Sequence, residues 1–251
     1  MIIIKTDEEI EMMRRAGKKL ARLLDALLPE IVKEGVNGES IEKYVLEYME
    51  KEDAIPTFKG YNGYKYAINF SVNEEVVHGF PLKSKVLKNG DVVSIDCGLT
   101  YKGYIADSAR TYIIGQVPEE EKGLVEATKE SLYMGIKKAV VGNSIGDIGH
   151  EIQTYIESKG FSVIREYVGH GVGRKLHEDP QIPNYGRQGR GPKIKKNMTL
   201  AIEPMVSMGS YEVDILEDGW TAVTRDRSKA AHFEHTIAVT ENGPEILTQL
   251  T

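Results

Sequence analysis

Cys97 is the only cysteine in 251 residues. An internal disulfide framework is therefore excluded, and such sparing use suits a reducing compartment. No apolar run approaches the roughly 18 residues that a membrane-spanning helix requires. The opening MIIIKTDEEIEMM sets three isoleucines before Lys5 and then an acidic run, too short and too charged for a secretory leader. An excess of basic residues is missing too. Lys and Arg number 32 against 38 Asp and Glu, a formal net charge of −6, which argues against a nucleic-acid binder that relies on a basic face. G-x-S-x-G, a Walker A sequence and C-x-x-C are all absent. These absences point to a soluble, cytoplasmic chain with no membrane partner and no direct nucleic-acid partner.

The residues present have the balance of a globular protein: 41% are apolar and 28% charged, which leaves no long disordered tail. Residues 7–51 read as two helices. The first repeats apolar residues at helical spacing (Ile10, Met13, Leu20, Leu23, Leu24, Leu27), and the second follows Gly35 with Ser40 in its N-cap region. The stretch FKGYNGYKYAINFSVNEEVVHGFP reads as loop and short strands, and DVVSIDCGLTYKGYIADSARTY as a hairpin. Residues 118–159 again read as two helices, followed by a strand and a loop in REYVGHGVGRKLHEDP and by strands in KKNMTLAIEPMVSM and AHFEHTIAVTE.

Helices followed by strands thus occur twice, at a constant offset of 107 positions. Gly35 maps onto Gly142, Ile41 onto Ile148, Val45 onto Ile152, Tyr48 onto Tyr155, and Asp96 onto Glu203. One register that holds across a helix and a later strand implies a duplicated α+β half. No linker separates the halves, roughly 10–112 and 118–240, so residues 1–251 read as a single domain.

The acids stand out against this pattern. Asp96 closes the apolar run Val92-Val93-Ser94-Ile95, and Asp107 follows Tyr104-Ile105-Ala106 on the return strand. A hairpin centred at Tyr101–Lys102 sets Asp96 directly opposite Asp107, and opposed residues lie about 4.5–5.5 Å apart at Cβ. Two carboxylates that close repel unless a cation sits between them. The repeat brings Glu203, and with it Glu234, to the same spot from the other half. Any one of these acids alone reads as a solvated strand end. Four together require divalent cations, and bridging carboxylates hold two of them about 3.5–4 Å apart. His170, flanked by glycines, adds a nitrogen donor, and this donor set suits Mn, Fe, Co or Zn. Cys97 as a nucleophile is disfavoured, because an apolar strand raises its pKa.

The segments SVNEEVVHG, SIDCG, ADSARTY, GHGVGRKLHEDP, AIEPM and FEHT together resemble the methionine aminopeptidases of the short, bacterial class I type, across essentially the whole chain. The resemblance implies a pita-bread fold, with two pseudo-symmetric halves of helices packed on a curved antiparallel sheet. It implies a cofactor of two divalent metal ions (Co, Mn, Fe or Zn), with Asp107 and Glu234 bridging both, Asp96 on one, and His170 with Glu203 on the other. Glu203 is further implied as the proton shuttle, and His78 and His177 as substrate contacts near the scissile amide. Tyr61, Tyr64, His78, Leu176 and Trp220 are implied for the methionine pocket. Phe58 and Asn69 stand where many bacterial relatives have cysteines in the pocket-forming loop, and Leu176 replaces a common phenylalanine. The implied activity is removal of initiator methionine from nascent chains with a small second residue, by a monomer in transient contact with the ribosome. The alternatives are a proline dipeptidase or aminopeptidase P, and a non-catalytic binding protein of the same fold.

Overall fold

Helix α1 (Asp7–Ala21) begins at a capping box. Thr6 accepts from the backbone of Glu9, and the Glu9 carboxylate accepts from the backbone of Thr6. Its acids lie in the first turn and Lys18 and Lys19 in the last, as the helix dipole favours. The helix then widens through a π segment, Arg22–Leu27, before a final turn, α2 (Leu28–Ile31). The coordinates, a computed structural model, describe residues 1–250. Helix α3 (Gly38–Lys51) is capped by Asn37, not by Ser40. Ser40 lies three residues inside, and its N–H donates to Asn37 Oδ1 at 3.0 Å.

The offset of 107 runs through the backbone in detail. Helix α4 (Glu119–Lys138) precedes α5 (Ile145–Ser158), and α5 superimposes number for number on α3. Gly35 and Gly142 both take positive φ, 85° and 93°, the left-handed turn that glycine tolerates without a Cβ clash. The isolated bridges Asn37↔Val86 and Ser144↔Lys193 are related by the same shift. So are the pairings Pro56↔Leu99 and Val163↔Val206. Each half packs its own core. Leu20, Ile41 and Val45 meet Val93, Ile95 and Leu99 in the first, and Leu132, Ile148 and Ile152 meet Leu200, Ile202 and Ile237 in the second. This is the α+β pita-bread arrangement of two pseudo-symmetric halves.

Strand Val92–Tyr101 lies centrally in the first half, with Tyr104–Ile113 on one side and Ile68–Val72 plus Ile55–Pro56 along the other. Period-two alternation explains its acid. Val93, Ile95, Cys97 and Leu99 face the helices, so Ser94, Asp96 and Gly98 face the opposite way. The register differs from the predicted one by two residues. Asp107 stands opposite Gly98, and Asp96 stands opposite Ala109. The turn residues are Lys102 and Gly103, both at positive φ (49° and 80°), as a two-residue hairpin loop requires. A shift of two keeps the face, so the two acids are diagonal neighbours and not direct partners.

In the second half the strands break at the acids. Thr199–Ile202 and Met205–Ser207 flank Glu203-Pro204, and Ala230–His232 and His235–Thr240 flank Phe233-Glu234. Ile202 pairs with His235 and Met205 with His232, so the register carries Glu203 opposite Glu234 across the gap. The N–H of Glu234 turns instead to Ala109 O in the first half, at 3.1 Å. Thr236 Oγ1 accepts from Asp107 N–H at 3.0 Å, and Thr111 Oγ1 donates to His232 O at 2.7 Å. Buried Arg110 binds both oxygens of Asp25 and donates to Glu234 O at 2.9 Å. The seam between the halves thus fixes the backbone on which Asp107 and Glu234 stand. Among the described residues no helix is long and apolar enough to cross a membrane.

Candidate metal centre

Asp96, Asp107, His170, Glu203 and Glu234 all line one cavity of about 220 Å³. Two come from the first-half hairpin, and three from the second half: His170 on strand Gly169–Gly171, and the two glutamates in the strand breaks. Ligand atoms of Asp107, His170 and Glu234 lie within 4.8 Å of one another. His170 Nε2 is 3.4 Å from Glu203 Oε1 and 3.7 Å from Asp107 Oδ2.

The electrostatics of this group need a cation. Burial raises Asp96 to about 7. Burial first, and then the neighbouring carboxylates, holds Asp107, Glu203 and Glu234 well above the ordinary carboxylate range. Asp96 Oδ1, Asp107 Oδ1 and Glu234 Oε1 are buried without a hydrogen-bond partner. His170 adds no proton to relieve them. Its Nδ1 lies 2.9 Å from Gly171 O and must carry the hydrogen, so Nε2 presents a lone pair to the acids. Burial, helped by His177, pushes that imidazole down to about 4. Acceptors facing acceptors in a closed space fit divalent cations and little else.

The other six predicted residues line the same cavity. Leu176 and Tyr64 are buried, and Tyr64 meets Trp220 edge-on at 5.1 Å between ring centroids. The Tyr64 hydroxyl does not face the cavity chemistry. It donates to Ile68 O and Gly79 O, at 3.0 and 3.2 Å, so the ring forms wall while the oxygen secures the segment carrying His78. Tyr61 is exposed, and its hydroxyl lies 2.8 Å from His177 Nδ1. His177 in turn meets His170 edge-on at 4.4 Å. His78 takes φ 61°, a left-handed conformation unusual for histidine, and packs edge-on against Tyr167. Burial lowers both His78, to about 4, and His177. Both rings are therefore neutral near pH 7.

Two residues have places that the sequence reading did not assign. Asn69 belongs to strand Ile68–Val72 and not to a pocket loop, and it donates to Asp96 Oδ2 at 2.7 Å. His232 is buried, with Nε2 unpartnered 3.8 Å from Glu203 Oε2. Its position two residues before Glu234, in a segment already read as strand, was the available signal. Cys97 is buried, and its thiol is pushed up by burial and by Asp96 and Asp107, consistent with no nucleophilic role.

Known proteins resemble this chain in sequence and fold. A sequence model for metallopeptidase family M24 matches residues 11–241. The chain is 52% identical to a methionine aminopeptidase of Clostridium acetobutylicum over 248 residues, 99% of each chain. The crystal structure of a methionine aminopeptidase from Thermotoga maritima superimposes with a TM-score of 0.98 at 56% identity, over the full length of both chains. An Xaa-Pro dipeptidase from Bacillus anthracis shares the fold, with a TM-score of 0.79 at 23% identity, over 99% of this chain and 62% of that one.

Proposed function

The chain belongs to metallopeptidase family M24, and from that premise we propose that it is a methionyl aminopeptidase, a metal-dependent hydrolase that removes initiator methionine when the second residue is small. What carries this reading is full-length identity of 52–56% to methionine aminopeptidases, combined with a cavity in which all five candidate ligands converge. In it Asp107 and Glu234 would serve both ions, Asp96 one of them, and His170 with Glu203 the other. The orphaned oxygens of Asp96, Asp107 and Glu234 support that assignment. Bound divalent ions supply Lewis-acid activation of water and stabilise developing negative charge. Co, Mn, Fe and Zn all suit the donor set.

The protein's own groups divide the remaining work. Glu203, 13% exposed at its side chain, takes the proton from the attacking water and returns it to the leaving amine. His78 and His177, both neutral and lining the same cavity, donate to the substrate beside the scissile bond. Tyr61 holds the His177 ring in orientation. Tyr64, Trp220 and Leu176 offer aromatic and aliphatic contact to a thioether, worth about 0.3–1.5 kcal/mol per sulfur–ring contact. Because the ligands come from both halves, we read the chain as one catalytic domain. It works on nascent polypeptide N-termini in the cytoplasm, as a monomer with transient ribosome contact.

Likeness to the Xaa-Pro dipeptidase extends to fold alone at 23% identity. The two activities separate in one assay. With Mn or Co present, Met-Ala-Ser is expected to release methionine, chelation to abolish the release, and added metal to restore it, while Xaa-Pro peptides stay intact. Cleavage of Xaa-Pro peptides with Met-Ala-Ser untouched would replace this reading.

A further inference from the structure

We propose that Asn69 is a positioning residue that sets the affinity of one of the two ions, the one held by Asp96. The inference rests on the reading of Asp96 as a ligand, given above. Asn69 and Asp96 are directly paired across neighbouring strands, on the same face. Asn69 is buried, and its Nδ2 donates to Asp96 Oδ2 at 2.7 Å. The other oxygen, Oδ1, is buried with no partner. One oxygen is therefore held by the protein, and the other is left facing the cavity. An amide suits this task because it donates without bringing charge. A lysine in its place would compete with the cation, and an apolar side chain would leave the carboxylate free to rotate.

Asn69 is itself fixed from two sides. The Glu42 carboxylate, projecting from α3, accepts from the N–H groups of Ala67 and Ile68 at 2.8 and 3.2 Å. The Tyr64 hydroxyl donates to the carbonyl of Ile68. A chain of contacts thus runs from the first-half helix to strand Ile68–Val72, to Asn69, to Asp96. No corresponding donor from this strand reaches Glu203 or His170. Its influence should therefore fall on one ion and spare the other.

Calorimetric titration of metal-free protein with Mn(II) tests this. The wild type is expected to take up two ions. Asp96→Asn is expected to lose one, and this arm tests the ligand reading itself. Asn69→Leu is expected to weaken one step by about 10- to 100-fold and leave the other within about twofold, with thermal stability of the metal-free protein little changed. Should the leucine variant not fold, Asn69→Ser, whose hydroxyl falls short of Asp96, is expected to show the same selective loss. Two unchanged steps, or two equally weakened ones, would overturn the inference while leaving the ligand reading intact. Full uptake of two ions by Asp96→Asn would overturn both.

Discussion

Replacing Glu203 with glutamine is expected to lower kcat on Met-Ala-Ser by about 100- to 10,000-fold, the range of a lost general acid–base group, measured at saturating metal. Glutamine keeps the size and one potential ligand oxygen but cannot take up a proton near neutral pH. The position explains the size of the effect. Glu203 lies in a strand break, beside Pro204, where its carboxylate turns into the cavity between His170 and His232. The neighbouring His170 cannot take over the role, because its Nδ1 hydrogen is committed to Gly171 O and its Nε2 faces the acids. The fold should persist. Burial, with Asp107 and Asp96, already holds metal-free Glu203 toward its neutral form, so a neutral glutamine of the same size should leave the thermal midpoint of the metal-free variant close to that of the wild type. A kcat near the wild-type value would remove Glu203 from the proton transfer.

The second large effect is on the stability of the metal-free protein as pH rises. Asp96 moves up to about 7 on folding, and Asp107, Glu203 and Glu234 are raised well above the ordinary carboxylate range, by burial first and then by one another. Groups whose pKa is raised on folding contribute fully below their unfolded values, near 4, and that contribution is lost as pH climbs through the folded values. The buried histidines act in the opposite sense. His78 and His170 fall to about 4 and His232 to about 3, so they cost stability only as pH drops below about 6.5. The two trends offset each other from pH 4 to 6.5. Above that only the carboxylates titrate. Raising Asp96 from 3.8 to about 7 makes its own contribution fade mostly below pH 6.5, so the loss above that pH comes chiefly from the other three acids. Between pH 6.5 and 9 the metal-free thermal midpoint is therefore expected to fall as Asp107, Glu203 and Glu234 are forced to ionise. With Mn bound it should hold level, because bound ions need these carboxylates ionised. Scanning calorimetry of both forms at the two pH values checks this. A metal-free midpoint that is flat or rises would mean that the acids are not crowded together in a dry site.

Much of this was legible in the residues because duplication leaves paired marks. The turn glycines Gly35 and Gly142 and the acids Asp96 and Glu203 recur at one spacing, since each half must stop a helix and aim a strand in the same way. A hairpin centred at Tyr101–Lys102 differs from the observed register by two because the turn falls at Lys102-Gly103, where glycine suits the positive φ. The acids nevertheless stayed on one face, because strand alternation survives an even shift. Other features left no local trace. The π segment at Arg22–Leu27 has ordinary helical composition, and only the backbone shows it. The positive φ of His78 is unusual for histidine, and nothing in the local sequence announces it. Asn69 looked like a variation in pocket shape because its partner, Asp96, is 27 residues away in sequence. His232 carries no flanking glycines or motif of its own, and only the fold brings its Nε2 to 3.8 Å from Glu203.

Crystals of the protein soaked in Mn(II) and measured for anomalous scattering would test the central claim most directly. Two peaks are expected, about 3.5–4 Å apart, with Asp107 and Glu234 touching both, Asp96 one, and His170 and Glu203 the other. Absence of peaks in this cavity, or ions bound only at other carboxylates, would contradict it.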